Sequence, residues 1–424
     1  MKKTQYSIKI LLILSLFAVA SIQGTGSGIR SSYSPQPILN ENDTTHLIFK
    51  HDKQTADTVS PVYYHQYQIN NGIWSKPHKL FFSHDMIYLD TYIDGEKVHF
   101  YFFADEQGLF KIIFDEGTGS YSDYQFLLDF DFFKNYVNEK DDIHMLFRGF
   151  YLDKDVIDNF VLLWETFNSP VLITKVTGSG TQTKELNGLF SQVGQYVVIK
   201  SNNDFIFYSP TSYEYSILFE NGSLVSWKAW KQISSEIEKI VFGNTLYLIN
   251  STGWYNVDLT EPASEFKYMD KPEGFDIINS SSNYNLLELL EEKLIVAIFE
   301  GNNLTLFKYE NSSSPWKKLD SYITNNTVSN PTWYEPQSNI KIIKKDNNYE
   351  IYWVETVEKY LREIAFISYS LSDGFGIKQI ITDTNLITDD VETINFSFFG
   401  MGLLFIAGSR IFTKKYRKSL MKNI

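Results

Sequence analysis

Residues 242–257 read FGNTLYLINSTGWYNV, and residues 399–414 read FGMGLLFIAGSRIFTK. Both carry Phe-Gly, four apolar residues, a polar turn and then two more apolar residues. Such a pair of short apolar runs around a polar break reads as a β-hairpin. Its recurrence in register, far along the chain, is the mark of a repeat architecture.

Working outward from these two segments, the same hairpin recurs from about residue 46 onward. Runs 47–49 and 62–69 form the first pair, then 97–103 with 109–114, and 160–164 with 171–174. Next come 196–199 with 205–208, 246–249 with 254–257, and 294–299 with 304–307. The last two are 349–354 with 364–369, and 403–407 with 411–413. Their starts lie about 50 residues apart, the spacing of propeller blades. Tryptophan-led segments fall between the hairpins: WSKPHKLFF (74–82), WKQISSEI (230–237) and WKKLDSYI (316–323). They are expected to be outer strands. The run NLLELLEEKL (285–294) has the best helical pattern and leads into a β-like stretch.

A lone four-stranded sheet exposes both faces and both edges. Radial stacking buries both faces, which explains strands that read as unbroken apolar runs. The expectation is an all-β fold: a β-propeller of about eight four-stranded blades, with seven as the alternative. It spans residues 40–416, after a flexible segment at 21–39 and before a basic tail at 417–424, with an outer strand from residues 31–45 or the first unit expected to close the ring. Twenty-eight Tyr and 33 Phe suit pleated, half-buried strands.

The chain has 424 residues and a formal charge of −13. Residues 1–20 carry Lys2, Lys3 and Lys9 ahead of an apolar run that ends Ala18-Val19-Ala20. This is the layout of a secretory signal peptide. Without it the charge is about −16, a field that repels nucleic acid. There is no cysteine, so disulfides and thiolate chemistry are excluded. Residues 394–408 are uncharged and precede Lys414, Lys415, Arg417 and Lys418. A hairpin and a short membrane anchor are both open there, and the match to residues 242–257 favours the hairpin. Membrane association enters only if the N-terminal or C-terminal apolar segment is retained. The expected location is secreted or at the cell surface.

Asn70-Asn71-Gly72-Ile73-Trp74-Ser75-Lys76-Pro77 and Ser370-Leu371-Ser372-Asp373-Gly374-Phe375-Gly376 resemble the Asp-box turn of the sialidase-like (BNR repeat) propellers. The family pattern is Ser-x-Asp-x-Gly-x-x-Trp. Here Asp373 follows Ser372 directly, Ile377 stands near the Trp position, and the first segment lacks the Ser-x-Asp half. The resemblance implies propeller architecture. Sialidase catalysis would need three converging arginines, and this chain offers only Arg148, Arg362 and Arg410 within its body.

Asp129 and Asp131 are expected on one strand face, where paired carboxylates serve glycoside cleavage. Asp153, Asp155 and Asp158 offer oxygen ligands to Ca²⁺; a plain acidic turn is the alternative. No other cofactor is indicated. All seven histidines precede residue 145, and His51 is expected to approach His65 across neighbouring strands. Sequons begin at Asn42, Asn221, Asn250, Asn279, Asn303, Asn311, Asn325 and Asn395. In an exported protein they are glycosylation candidates. The leading functional expectation is an extracellular binding or scaffolding propeller whose partner is a glycan or an extracellular protein. An exported carbohydrate-active enzyme with carboxylate catalysis and a structural cell-surface component are the alternatives.

Overall fold

In the computed structural model, the strand pairs expected from the apolar runs are present wherever the chain is described. The structure describes residues 30–381 except 41, 56–57, 70–72, 83–85, 106, 137–144, 167–169, 187–196, 202–203, 210–213, 221–222, 229–235, 243–244, 251–252, 259–266, 270–294, 312–313, 329–339 and 359–360. The chain divides into Met1–Thr382 and Asp383–Ile424, and every described residue lies in the first part.

Among the described residues the strands fall into seven consecutive antiparallel meanders, the first and the seventh joined in one sheet. The first holds β1 (Arg30–Leu39), β2 (Thr45–Thr55), β3 (Thr58–Ile69), β4 (Ile73–Trp74) and β5 (His78–Phe82). The second holds β6 (Met86–Asp94), β7 (Lys97–Ala104), β8 (Gly108–Asp115), β9 (Ser120–Tyr121) and β10 (Gln125–Asp129), followed by a single helical turn, α1 (Phe130–Lys134). The third is β11 (Met145–Leu152), β12 (Phe160–Thr166), β13 (Leu172–Thr177) and β14 (Gly180–Glu185). The fourth is β15 (Val197–Ser201), β16 (Asp204–Ser209), β17 (Glu214–Leu218) and β18 (Leu224–Lys228). The fifth is β19 (Glu236–Phe242), β20 (Thr245–Asn250), β21 (Gly253–Asp258) and β22 (Lys267–Met269). The sixth, among the described residues, holds β23 (Ile295–Glu300), β24 (Asn303–Asn311) and β25 (Ser314–Ile323). The seventh holds β26 (Thr327–Val328), β27 (Ile340–Lys345), β28 (Asn348–Glu358), β29 (Leu361–Ser370), β30 (Gly374–Phe375) and β31 (Gln379–Ile380).

Alternate residues of one strand pack against opposite neighbours. On β7, Phe100, Phe102 and Ala104 join the first meander's core, with Ile48 and Tyr63. Tyr101 and Phe103 instead meet Phe160, Leu162 and Trp164 of the third. On β12, Val161 and Leu163 turn the other way, onto Phe205 and Phe207 of the fourth. All seven residues of β12 are buried. A strand covered on both faces has no polar side, so it reads as a continuous apolar run. Each such side chain contributes roughly 1.5–3 kcal/mol by leaving water.

The array returns to its start. Strand β1 runs parallel to β29 over Arg30↔Leu361 and Ser31↔Arg362. The Trp74 ring meets Tyr352 and Phe366 edge-on, with centroids 6.3 and 6.4 Å apart. Radially stacked meanders whose last unit touches the first make an all-β β-propeller. The eighth expected hairpin, within residues 394–424, lies outside the described residues, as do residues 1–20 and the helical-looking run 285–294. Among the described residues, no helix is long and apolar enough to cross a membrane.

Three expectations are corrected. Residues 30–39 are not part of a flexible segment; they form β1, because β2 gives them a partner from Arg30↔Lys53 to Leu39↔Thr45. Of the segment 230–237, residues 230–235 lie outside the described residues, and the outer-strand place expected of it is filled otherwise. That place is taken by β18, and Glu236 and Ile237 begin β19. Asp129 and Asp131 do not share a strand face either. The Asp129 carboxylate caps α1, accepting from the Phe132 N–H at 2.8 Å, and this turns the chain before Asp131.

The two Asp-box-like stretches occupy equivalent corners, the first, described from Ile73, at the passage from β3 to β4 and the second at the passage from β29 to β30. At the second, the Ser370 and Ser372 hydroxyls donate to Asp373 Oδ2 (3.1 and 2.9 Å), and the Asp373 N–H donates back to Ser370 Oγ (2.9 Å). Gly374 follows at φ +74°, where a side chain would be strained. The second meander repeats the corner with Gly119-Ser120-Tyr121-Ser122. The Ser75 and Ser122 N–H groups donate to the carbonyls of Tyr67 and Ile113, both at 2.8 Å. Their hydroxyls in turn accept from the Tyr67 and Ile113 N–H groups, both at 3.0 Å. Gly376 makes the matching backbone bond to Ser368, also 2.8 Å.

Candidate functional site

The turns joining first to second strands, and third to fourth, lie at one end of the stacked sheets, since consecutive strands alternate in direction. At that end a groove of about 170 Å³ opens between the third and fourth meanders. Tyr151 and Asp153 enter it where β11 ends, and Asn159, Phe160 and Val161 where β12 begins. Lys175, Val176 and Thr177 come from the end of β13, and Lys200, Phe205 and Glu220 from the fourth meander.

Its aromatic wall is the Tyr151–Phe205 pair, edge to face with centroids 5.7 Å apart. Its polar wall is the Lys200–Asp153 ion pair at 2.9 Å. Burial works against the Asp153 charge. Hydrogen bonds from Lys200 and from the Asp155 N–H nevertheless hold its carboxyl below the ordinary value. The same bond raises Lys200, so both partners stay ionised. Burial pushes the Tyr151 phenol up, keeping it a neutral donor. The Lys175 ammonium lies over the Phe205 ring, 5.6 Å from its centroid.

A second polar cluster crosses from the first meander to the second. The Tyr121 hydroxyl lies 2.7 Å from His65 Nδ1, His65 Nε2 lies 3.0 Å from His46 Nδ1, and His46 Nε2 lies 2.8 Å from Glu116 Oε1. Asn40 donates to the same Glu116 oxygen. One proton assignment satisfies every link with neutral imidazoles. Tyr121 donates to His65, His65 donates to His46, and His46 donates to the carboxylate. Burial lowers the His65 pKa well below the ordinary value, with His46 and His78 adding to the effect. The exposed His78 ring stacks on Tyr121 at 3.7 Å.

No family model matches the chain, and no curated protein matches it. Solved propeller-containing structures do resemble it. Virginiamycin B lyase from Staphylococcus aureus is 10% identical, with a TM-score of 0.43, over 75% of this chain and 91% of that one. The β-propeller domain of the Trilobed protease from Pyrococcus furiosus is 10% identical at a TM-score of 0.44, over 84% and 98%. The Aleuria aurantia lectin in complex with Fucα1-6GlcNAc is 10% identical at 0.39, over 86% and 98%. The propeller architecture here rests on the strand pairing and face-to-face packing described above.

The residues singled out from sequence are dispersed. Asp153 is drawn to Lys200, whereas Asp158 takes both carboxylate oxygens to Lys111 (2.8 and 2.7 Å) and accepts from the Tyr101 hydroxyl (2.8 Å). Asp155 is exposed, so the three carboxylates do not converge as Ca²⁺ ligands. Among the described residues, no group of three His, Asp or Glu side chains is placed to hold a metal. His51 does not approach His65. It lies across from Val62 with its ring against Tyr64, and His46, diagonal to His65 across β2 and β3, takes that place. Arg148 pairs with Glu165 inside the third meander, and Arg362 lies on β29 of the seventh. Asn42 and Asn325 are exposed in turns, Asn303 begins β24, and Asn250 and Asn311 end β20 and β24. Asn221, Asn279 and Asn395 lie outside the described residues. Sequence reading missed the groove and the Tyr121–His65–His46–Glu116 chain.

Proposed function

We propose that this protein is an exported binding propeller, secreted or held at the cell surface, and that its ligand is a glycan. The observation that carries this reading is the groove between the third and fourth meanders. An aromatic pair beside a carboxylate, a carboxamide and two ammonium groups is the surface that suits a sugar, whose ring has apolar faces and a hydroxyl rim. Asp153 accepts hydroxyl protons, and Asn159 offers both a donor and an acceptor. At about 170 Å³ the space is smaller than a drug-sized pocket and suits a single sugar ring. The groove is built from strand ends rather than long loops, so it is held open before any ligand arrives.

The test is a glycan array probed with the mature protein, followed by titration of the best binders. Tyr151→Ala removes the partly exposed half of the aromatic wall and is expected to weaken binding by about 1–2 kcal/mol. A blank array, or binding indifferent to Tyr151→Ala, would refute the reading.

A further inference from the structure

We propose that the sugar taken by this groove is acidic, a uronate or another carboxylated monosaccharide. The inference rests on the glycan reading and adds a charge to it. Four ionisable side chains other than tyrosine line the groove: Asp153, Glu220, Lys175 and Lys200. Lys200 and Asp153 are committed to each other at 2.9 Å, so their charges cancel locally. Lys175 differs. Among the described residues its ammonium meets only the Phe205 ring, and no carboxylate. Glu220 is exposed, and its backbone N–H is tied to Asp204.

An ammonium held against an aromatic face has lost part of its hydration shell on that side. Its remaining donors point away from the ring, and Lys carries three of them. The strongest partner such a group can find is a carboxylate. A sugar lying along Tyr151 and Phe205 brings its ring to the aromatic wall. A carboxylate on its C5 position is the group such a sugar offers to Lys175, which stands over the Phe205 ring. The chain carries a formal charge of −13, so an ammonium that meets no carboxylate among the described residues runs against the prevailing field. That field repels anions generally. Recognition of an acidic ligand therefore depends on the local charge at Lys175 rather than on long-range steering.

The experiment compares methyl glucuronide, its neutral methyl ester and methyl glucoside by calorimetric titration of the mature protein at two salt concentrations. Wild type is expected to prefer the glucuronide by about tenfold over either neutral sugar, a preference that shrinks as salt rises. Lys175→Gln keeps the length of an exposed side chain and leaves the fold intact, which its melting curve checks. It is expected to abolish the preference, so that the glucuronide binds no more tightly than its methyl ester or the glucoside. Equal affinity for all three sugars, or a preference that survives in Lys175→Gln, overturns the acidic assignment and leaves glycan binding standing. No binding to any of the three, with the array also blank, overturns both.

Discussion

His65, stacked beside His46, makes stability respond to acid in a direction that can be worked out. Both rings are buried, at 0% exposure. Burial, first of all, holds His65 below the ordinary imidazole value of 6.5, and its neighbours His46 and His78 push the same way. The groups facing it are His46 from β2, Tyr67 from its own strand, Tyr121 from β9, His78 from β5 and, through His46, Glu116. In the unfolded chain His65 takes up a proton near pH 6.5, whereas in the folded protein it stays neutral. The stabilisation is therefore complete above 6.5 and is lost as the pH falls. If His65 remains neutral at pH 5.5, lowering the pH from 7.5 to 5.5 removes about 1.4 kcal/mol. That is a substantial share of the ~5–15 kcal/mol by which domains are stable. Urea unfolding at the two pH values measures it, with His65→Gln as the reference. Glutamine cannot titrate, so the variant, though less stable overall, should lose about 1.4 kcal/mol less than wild type on acidification. His99, also lowered by burial and by Lys111, acts equally in both proteins and cancels. Equal acid sensitivity in the two proteins, or greater sensitivity in the variant, would refute the reasoning.

Three further outcomes are expected. Glu355 is fully buried and accepts from Thr324, Asn326, Trp353 and Lys378, so Glu355→Ala strands four donors and should cost about 3–5 kcal/mol by urea titration. A loss under about 1 kcal/mol would show that the joint relaxes around the gap. Because Asp153 and Asp158 are taken by Lys200 and Lys111, neither calcium nor a chelator should move the melting temperature; a calcium-dependent rise would mean the 153–159 turn rearranges to ligate the ion. Finally, N-terminal sequencing of the exported protein should return a start shortly after Ala20, and an intact residue 1 on a membrane-bound product would contradict cleavage.

The inner strands were legible because their burial leaves a local trace. Both faces of β7 and β12 are covered, and both segments read as apolar runs. Each expected hairpin that falls within the described residues is an antiparallel pair, from 47–49 with 62–69 through 349–354 with 364–369. Outer strands leave less trace. β14 (GTQTKE) is almost wholly exposed, and β31 is two residues long. An edge strand with one face in water carries no apolar pattern to read. The Asp129 cap was readable in principle, since an aspartate ahead of Phe130 is a helix-start signal. The alternation of DFDFF with a strand pattern outweighed it. Neither polar site has any local signature. Asp153 and Lys200 are 47 positions apart, and His46 and Glu116 are 70 apart. Only the stacking of consecutive meanders brings them together.

That stacking also accounts for where the groove lies. Several joints between neighbouring meanders carry a carboxylate reaching across. Glu116 meets His46, Asp158 meets Lys111, Glu350 accepts from Thr45, and Glu355 gathers Thr324 and Asn326. Apolar side chains pack equally well after a small slide of one sheet past the next. A directed hydrogen bond does not, so these contacts fix the register of each joint at a modest energetic return. Between the third and fourth meanders the crossing pair is Asp153–Lys200, and its lysine keeps 31% of its side chain in solvent. This joint is pinned in register without being sealed. The opening leaves Tyr151 partly exposed and Lys175 exposed beside a fixed ion pair, and this is the arrangement on which the proposed glycan binding rests.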